Sequence, residues 1–296
     1  MLLRLFYFLF FALLPVVADA RLITQKKDGV LLVKSATYKE TEDLFSQYGY
    51  GGFSEINSRF PRIYFLRLPT DWSEIPESDD KHRIFIKILL PLILQANENV
   101  LKERSQLENM LHKIKSGQQL MAAEQKKLDE LAQKYDAFTR LKGDEKIAVQ
   151  IKLLMDKVDA VPPSLLAASA GIYSNWGTSR LALQANSLYL QEIWYEKRGL
   201  EPLDDADADY RYKIYSNLAE GIADHILKIN SSINYNYLRA SRTNSRKMGR
   251  PLYGPQVAAT MMLDNNLKNI AGMIDYTFSY YKLQNADYKP QLEDVK

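Results

Sequence analysis

The chain has 296 residues, with 39 lysines and arginines against 36 aspartates and glutamates and a formal net charge of +3. Apolar residues make up 46% of the chain and charged residues 25%, as in ordinary globular proteins. The balanced charge, and a sequence without any basic run, exclude nucleic acid as an expected partner. Because the sequence contains no cysteine, it encodes neither a disulfide scaffold nor a lipid-anchored lipoprotein.

Residues 1–20 have the pattern of a cleaved secretory signal peptide. Arg4 supplies a positive charge, residues 5–17 form an apolar run, and Ala-Asp-Ala at 18–20 is a small-x-small cleavage site. The run is short for a membrane-spanning helix, so we favour cleavage over an uncleaved anchor. We therefore expect export into the periplasm of a Gram-negative bacterium.

Residues 21–78 are predicted to form an N-terminal segment that mixes helix and strand. An Asp-Gly pair at 28–29 lies between two apolar stretches and predicts a β-hairpin. A capping box at 37–40 predicts a helix that ends near Gln47. Alternating apolar positions at 60–69 predict one half-buried strand.

Residues 79–143 are predicted to form a long helical hairpin. Apolar stripes predict helices at 79–115 and at 118–139, separated by a Ser-Gly pair. Pro91 lies inside the first of these helices and should kink it. We expect the hairpin either to bind other proteins or to support the unit that follows it, residues 144–285.

The stretch at 161–180, VPPSLLAASAGIYSNWGTSR, is the centre of that third unit. Two prolines open a helix, where a missing N–H group costs nothing. The small residues that follow let the helix pack closely on most sides, and Trp176 stands in the turn that ends it. On this physics alone, an ordinary core helix fits equally well.

The stretch resembles the central motif of Bax-type glucosaminidase domains, which are bacterial hydrolases that cut the glycan strands of peptidoglycan. That family reads PPSL-A-Q-A-A-x-E-S-x-W-G-T-S-R, and its acid/base glutamate stands three residues before the tryptophan. The same position here is Tyr173. The resemblance implies a mainly helical α+β fold, in which a lysozyme-like glucosaminidase domain with a small β-hairpin lobe follows the helical hairpin and the N-terminal β segment. Residues 286–296 are expected to be a C-terminal tail.

Further matches extend the resemblance over most of the chain. Residues 186–189 follow a family N-N-L-F segment, and residues 215–242 match the family pattern without gaps. Two short strands, predicted at 188–195 and 208–216, would wall one side of the sugar cleft. Residues 263–266 stand where related enzymes carry a Y-S-x-R-G segment, so a second part of the family's cleft is changed as well.

The loop at 196–209 is rich in acidic residues. Aspartates at 205, 207 and 209 resemble the start of a calcium-binding loop. However, Tyr210 stands where such a loop needs glycine, and Ser216 where it needs glutamate. We therefore predict no metal site, and we predict no cofactor.

The replacement of the family's glutamate governs the functional prediction. Cleaving a glycosidic bond needs a carboxyl group to protonate the leaving oxygen, whereas a phenol has a pKa of about 10 and is a poor donor. We predict a degenerate hydrolase without a catalytic residue, which binds peptidoglycan or is a structural subunit of a cell-envelope complex. In that complex the hairpin at 79–143 would contact other envelope proteins. The predicted glycan-binding residues are Tyr173, Trp176, Asn186, Tyr189 and Tyr215; alternatively, these side chains pack a closed cleft.

Two other functions stay open. The first is a working peptidoglycan endo-β-N-acetylglucosaminidase whose acid has moved to Glu192, Glu196 or Glu201. The second is a purely scaffolding component of a secretion or cell-wall machine. A zymogram on peptidoglycan tests the first, and copurification with a large membrane complex without any sugar affinity favours the second.

Overall fold

The computed structural model describes residues 22–53, 59–196, 198–203, 205, 207–263 and 268–296. The predicted signal peptide lies outside the described residues, and so do residues 264–266 of the changed family segment. The α-helices are α1 (Tyr38–Gln47), α2 (Asp79–Lys115), α3 (Ala122–Lys134), α4 (Gly143–Lys157), α5 (Pro163–Ser174), α6 (Arg180–Ala185), α7 (Leu218–Ser231), α8 (Asn236–Lys247), α9 (Gly254–Ala259) and α10 (Lys268–Tyr281). The strands are β1 (Ile23–Lys27), β2 (Val30–Ser35), β3 (Arg59–Pro61), β4 (Ile63–Phe65), β5 (Glu192–Trp194), β6 (Tyr210–Tyr212) and β7 (Gln291–Glu293).

The part of the chain that the structure describes is mostly helical, with a few small sheets, and this confirms the predicted fold class. β1 and β2 form the expected hairpin, and both turn residues, Asp28 and Gly29, have positive φ. Thr37 and Glu40 form the expected capping box at the start of α1. β5 and β6 pair antiparallel and form the small β lobe, over shorter spans than predicted.

The single strand predicted at 60–69 is two strands with different partners. β4 pairs in parallel with β2, whereas β3 pairs in parallel with β7 at the C-terminal end of the chain. The segment at 286–296 is therefore no tail. It contributes a strand, and the Val295 N–H donates to the Gly29 carbonyl at 2.8 Å.

Helix α2 is the core helix of the protein. Its first half is buried and packs against β4, α5 and α7, so the helix supports the unit that follows it. The helix continues through Pro91. It is long and apolar enough to cross a membrane, but 72% of its apolar stretch is buried inside this protein, as in the core helix of a globular domain.

Helix α3 returns along the second half of α2 and is shorter than the predicted 118–139. Lys113 pairs with Glu124 at 2.6 Å and Lys134 with Glu103 at 2.7 Å across the two helices. Because α4 packs against both α2 and α3, these three helices form one layer.

Helix α5 is buried along most of its length, as its small residues predict. It packs against α2, α9 and α10 and against the short 3-10 helix Leu283–Asp287. Asn175 and Trp176 both have positive φ, so the helix ends on a left-handed asparagine rather than on glycine. The turn that follows carries Trp176 back over the end of its own helix.

Candidate functional site

Tyr173 lies in the last turn of α5, where the family carries its acid. The ring is partly buried and packs against the hydrophobic core. Among the described residues, none forms a hydrogen bond with its hydroxyl group. Burial raises the pKa of the Tyr173 phenol above its ordinary value, so the group holds its proton more tightly than a free tyrosine. Tyr173 therefore places an uncharged aromatic ring at the position where the family carries a carboxyl group.

The side chain of Trp176 is fixed between α5 and the start of α2. Its ring stacks on His82 with centroids 4.0 Å apart and meets Tyr281 edge-on at 5.3 Å. A Cβ atom added at Gly171 would come within 2.8 Å of the tryptophan ring, so glycine is what lets the ring lie on the helix. The indole N–H of Trp72 donates to the Trp176 carbonyl at 3.0 Å and holds the turn.

A cavity of about 590 Å³ opens beside Trp176, between the start of α2, the end of α5 and the exposed face of α10. Aromatic side chains dominate it. The hydroxyls of Tyr280 and Tyr281 donate to the Asp79 carboxylate, which anchors α10 to α2. We name this cavity the Trp176 pocket and define it by Asp79, His82, Trp176, Gly272, Tyr276 and Tyr280.

Two of the predicted glycan-binding residues, Tyr189 and Asn186, make contacts within the protein. The Tyr189 ring is buried, stacks on His225 with centroids 4.0 Å apart, and donates its hydroxyl to the Leu166 carbonyl at 3.2 Å. The ring and the hydroxyl group of Tyr189 are therefore occupied by contacts within the protein. Asn186 ends α6 with positive φ and donates its amide to the Tyr215 carbonyl at 3.0 Å.

Tyr215 lies in a different groove, of about 440 Å³, between α2, α3 and α7. Its hydroxyl donates to Asp224 Oδ2 at 2.7 Å, and Lys213 and Gln191 donate to the same oxygen at 2.8 Å each. Burial and this contact with Asp224 raise the pKa of Tyr215. Sequence reasoning missed Asp224 because an acid on the polar side of a helix looks like any solvated residue.

The acids considered as relocated proton donors have other partners or positions. Glu196 pairs with Arg198 at 2.9 Å, and Glu201 pairs with Arg211 at 3.2 Å. Glu192 is exposed at the start of β5 and lines a separate cavity of about 400 Å³ beside Trp194 and Lys213. Within the described ranges, no carboxylate forms a hydrogen bond with Tyr173, and no three His, Asp or Glu side chains converge as metal ligands would.

The predicted groove is therefore not one site. Trp176 and Tyr215 line separate cavities, and Tyr173 lines neither of them. The residues that complete the Trp176 pocket, Asp79, His82 and Tyr280, come from helices far from the motif in sequence. The sequence holds one indication of this wall, because Tyr276 and Tyr280 are four residues apart and therefore lie one turn apart on a helix.

The mainly helical fold with its small β lobe agrees with the fold that the resemblance to Bax-type glucosaminidase domains implies. Over 194 residues the chain is 25% identical to protein Bax of Escherichia coli K12, which confirms the resemblance seen in the sequence. The match covers 65% of this chain and 65% of Bax, so the chain spans less than two thirds of that relative. No family model matches the chain.

A solved structure shows a more distant likeness. The catalytic domain of the autolysin Auto from Listeria monocytogenes is 16% identical and gives a TM-score of 0.33. The alignment covers 62% of this chain and 87% of that domain.

Proposed function

We propose that this protein is an exported, catalytically degenerate relative of the glucosaminidases that binds the glycan strands of peptidoglycan without cleaving them. In this role it anchors a cell-envelope complex to the cell wall. The chain is the family's scaffold without the family's proton donor.

The observation that carries the proposal is the side chain at position 173. A glycosidase needs a carboxyl group there to protonate the leaving oxygen, and general acid catalysis contributes about 10²–10⁴ in rate. The phenol of Tyr173 is buried enough that its pKa rises, which makes it a weaker donor still. Among the described residues, no acid is hydrogen-bonded to it that would take over the task.

Two further observations support the loss of activity. Glu196 and Glu201, which lie in the loop after β5, are held in ion pairs with arginines of their own lobe. Glu192 is exposed and lines a cavity beside Trp194 that Tyr173 does not line.

A zymogram and a sedimentation assay test the two halves of the proposal. The purified mature chain is expected to leave no clearing in a gel cast with peptidoglycan, while a muramidase on the same gel clears it. The same protein is expected to sediment with purified sacculi in about 0.5 M salt, where charge attraction is screened. Clearing that disappears in Glu192→Gln, Glu196→Gln or Glu201→Gln would show a working hydrolase with a relocated acid.

Export is the part of the proposal that a cellular experiment tests. The protein expressed with its full sequence in a Gram-negative host is expected in the periplasmic fraction, with a mature N-terminus at Arg21. A chain recovered from the cytoplasm with residues 1–20 intact would contradict this. Copurification with a large membrane complex by a chain that does not bind sacculi would favour a purely scaffolding role.

A further inference from the structure

On the basis of the glycan binding proposed above, we propose that the Trp176 pocket is a carbohydrate-binding site for two or more β-linked N-acetylated amino-sugar rings. The site lies apart from the position of the family's carboxylate. It gives the chain a way to hold a glycan strand that does not use the lost catalytic residue.

Helix geometry separates the pocket from Tyr173. Gly171 and Ile172 line the pocket and lie about 100° apart around α5. At about 100° per residue, Tyr173 points at least that far away from each of them. A ligand in the pocket therefore contacts the opposite side of the helix from the family's acid position.

The exposed face of α10 supplies an aromatic wall for the pocket. Met273, Tyr276 and Tyr280 follow one another along this face and are 56%, 66% and 46% exposed. The rings of Tyr276 and Tyr280 stack on one another, with centroids 5.6 Å apart and an angle of 22° between their planes, so the two side chains form one aromatic surface. Large exposed aromatics beside a cavity mark a binding surface, and flat rings suit the C–H faces of a pyranose.

The polar groups of the pocket favour an uncharged ligand over a cation. The two Asp79 oxygens already accept hydrogen bonds from the hydroxyls of Tyr280 and Tyr281. The Arg83 guanidinium already lies 5.5 Å from the centre of the Tyr281 ring, as a cation–π partner. Asn175 is exposed at the rim, where an amide can pair with sugar hydroxyl and acetamido groups.

The size of the pocket agrees with such a ligand. Its volume of about 590 Å³ lies within the range of about 300–1,000 Å³ that small-molecule sites occupy. Gly272 lies in its wall, and a Cβ atom added there meets nothing within 4 Å. The space beside this glycine is therefore open, and a larger side chain at 272 would enter the pocket without displacing the core.

Binding of a β-1,4-linked N-acetylglucosamine tetramer tests the inference. Trp72 is buried, so in a Trp194→Phe background Trp176 is the tryptophan whose fluorescence reports on the pocket. Calorimetry of the same titration gives the affinity independently. Tyr276→Ala removes half of the aromatic wall, and Gly272→Leu fills the open space.

Each of these two variants is expected to weaken tetramer binding about tenfold or more. Tyr237→Ala is the matched control, because Tyr237 is also an exposed tyrosine (57%) but lies on α8 and does not line the pocket. This control is expected to bind the tetramer as the parent protein does, and circular dichroism of each variant checks that the fold is unchanged.

Three results would overturn the inference. The first is a parent protein that does not bind the tetramer. The second is unchanged affinity in both Tyr276→Ala and Gly272→Leu. The third is a change of oligomeric state in Tyr276→Ala, measured by light scattering, with unchanged sugar affinity, which would make the aromatic wall a protein interface.

These outcomes differ from those that test the proposed function. Clearing on a zymogram would refute the loss of catalysis but leave sugar binding in the Trp176 pocket intact. Sedimentation with sacculi that persists in both pocket variants would keep the glycan-binding function and move it to another surface.

Discussion

At the scale of single residues, the proposed loss of activity depends on Tyr173. The ring fills a partly buried position and its hydroxyl bonds to none of the described residues. The hydroxyl is therefore dispensable to the fold, whereas the shape of the ring is not. A carboxylate placed here would be desolvated in the same way.

Substitutions at Tyr173 should separate these effects. Tyr173→Phe is expected to change the free energy of unfolding by less than about 0.5 kcal/mol. Tyr173→Glu is expected to lose about 1–3 kcal/mol at pH 7, because an unpaired carboxylate is buried. Burial raises the pKa of such a carboxyl in the folded state, so the part of the loss that is due to its charge is full above that pKa and disappears below about pH 4.3, while the loss of ring packing remains at both pH values. Urea unfolding at pH 7 and pH 4 measures the free energy of unfolding of both variants. An equal loss in Tyr173→Glu at the two pH values would contradict the argument.

His225 is a second residue whose burial sets a property of the protein. It stacks on Tyr189, and its buried Nδ1 atom has no partner among the described residues. Burial lowers the pKa of His225 from its ordinary value near 6.5 to about 3. Between pH 6.5 and pH 3, His225 is protonated in the unfolded chain but neutral in the folded chain. The free energy of unfolding therefore falls as the pH drops through this range.

His225→Phe should remove this acid lability. Phenylalanine keeps the stack on Tyr189 and buries no unpaired nitrogen, so the variant is expected to be at least as stable at pH 7. Its free energy of unfolding should fall less than that of the parent between pH 6.5 and pH 4. Chemical denaturation across this range provides the measurement. Parallel curves for parent and variant would show that His225 does not control the effect.

At the scale of elements, two glycines within helices differ in the space available for a side chain. Gly171 in α5 lies under the Trp176 ring, while Gly272 in α10 faces open space. Gly171→Ala is expected to cost about 1–3 kcal/mol, because the tryptophan must move. Gly272→Ala is expected to gain about 0.5–1 kcal/mol from helix propensity. Thermal unfolding of the two variants measures whether the free energy of unfolding falls in Gly171→Ala and rises in Gly272→Ala. Each variant is the control for the other.

Elements with local signals could be predicted from the sequence. The turn at 28–29, the capping box of α1 and the small-residue helix α5 each depend on a few adjacent residues, and the structure has all three. The division of 60–69 into β3 and β4 could not be predicted. Their partners β7 and β2 lie elsewhere in the chain, and no local pattern indicates a parallel pair of three residues.

The same distinction holds for the candidate site. The motif pointed to Trp176, which does line a cavity, and to Tyr189, which is buried. Sequence alone does not separate an aromatic side chain that faces solvent from one in the core. The opposite wall of the Trp176 pocket comes from α10, which joins α5 only in the folded protein.

At the scale of the whole molecule, the C-terminal segment caps the N-terminus of the buried helix α5. Helix α5 begins without a side-chain cap of its own. Asp287 supplies it, accepting from the Ser164 backbone N–H at 3.0 Å, the Ser164 hydroxyl at 2.7 Å and the Gly254 N–H at 2.7 Å. The carboxylate is buried, and burial raises the pKa of Asp287 to about 6.

Asp287→Ala should therefore weaken the whole fold. Leaving these buried donors without an acceptor is expected to cost about 2–4 kcal/mol. Asp275→Ala, on the exposed face of α10, should change stability by less than about 0.5 kcal/mol. Urea unfolding at pH 7 compares the two variants. A loss no larger than that of the control would show that α5 does not depend on this cap.

The pairing of β7 with β3, and of Val295 with Gly29, has a consequence for biogenesis. Strand β3 has no strand partner until residues 291–293 have been synthesised, because its partner is β7. An unpaired strand of this kind invites association with other chains. A chain in which this pairing has not yet formed is therefore prone to associate with other chains while it folds.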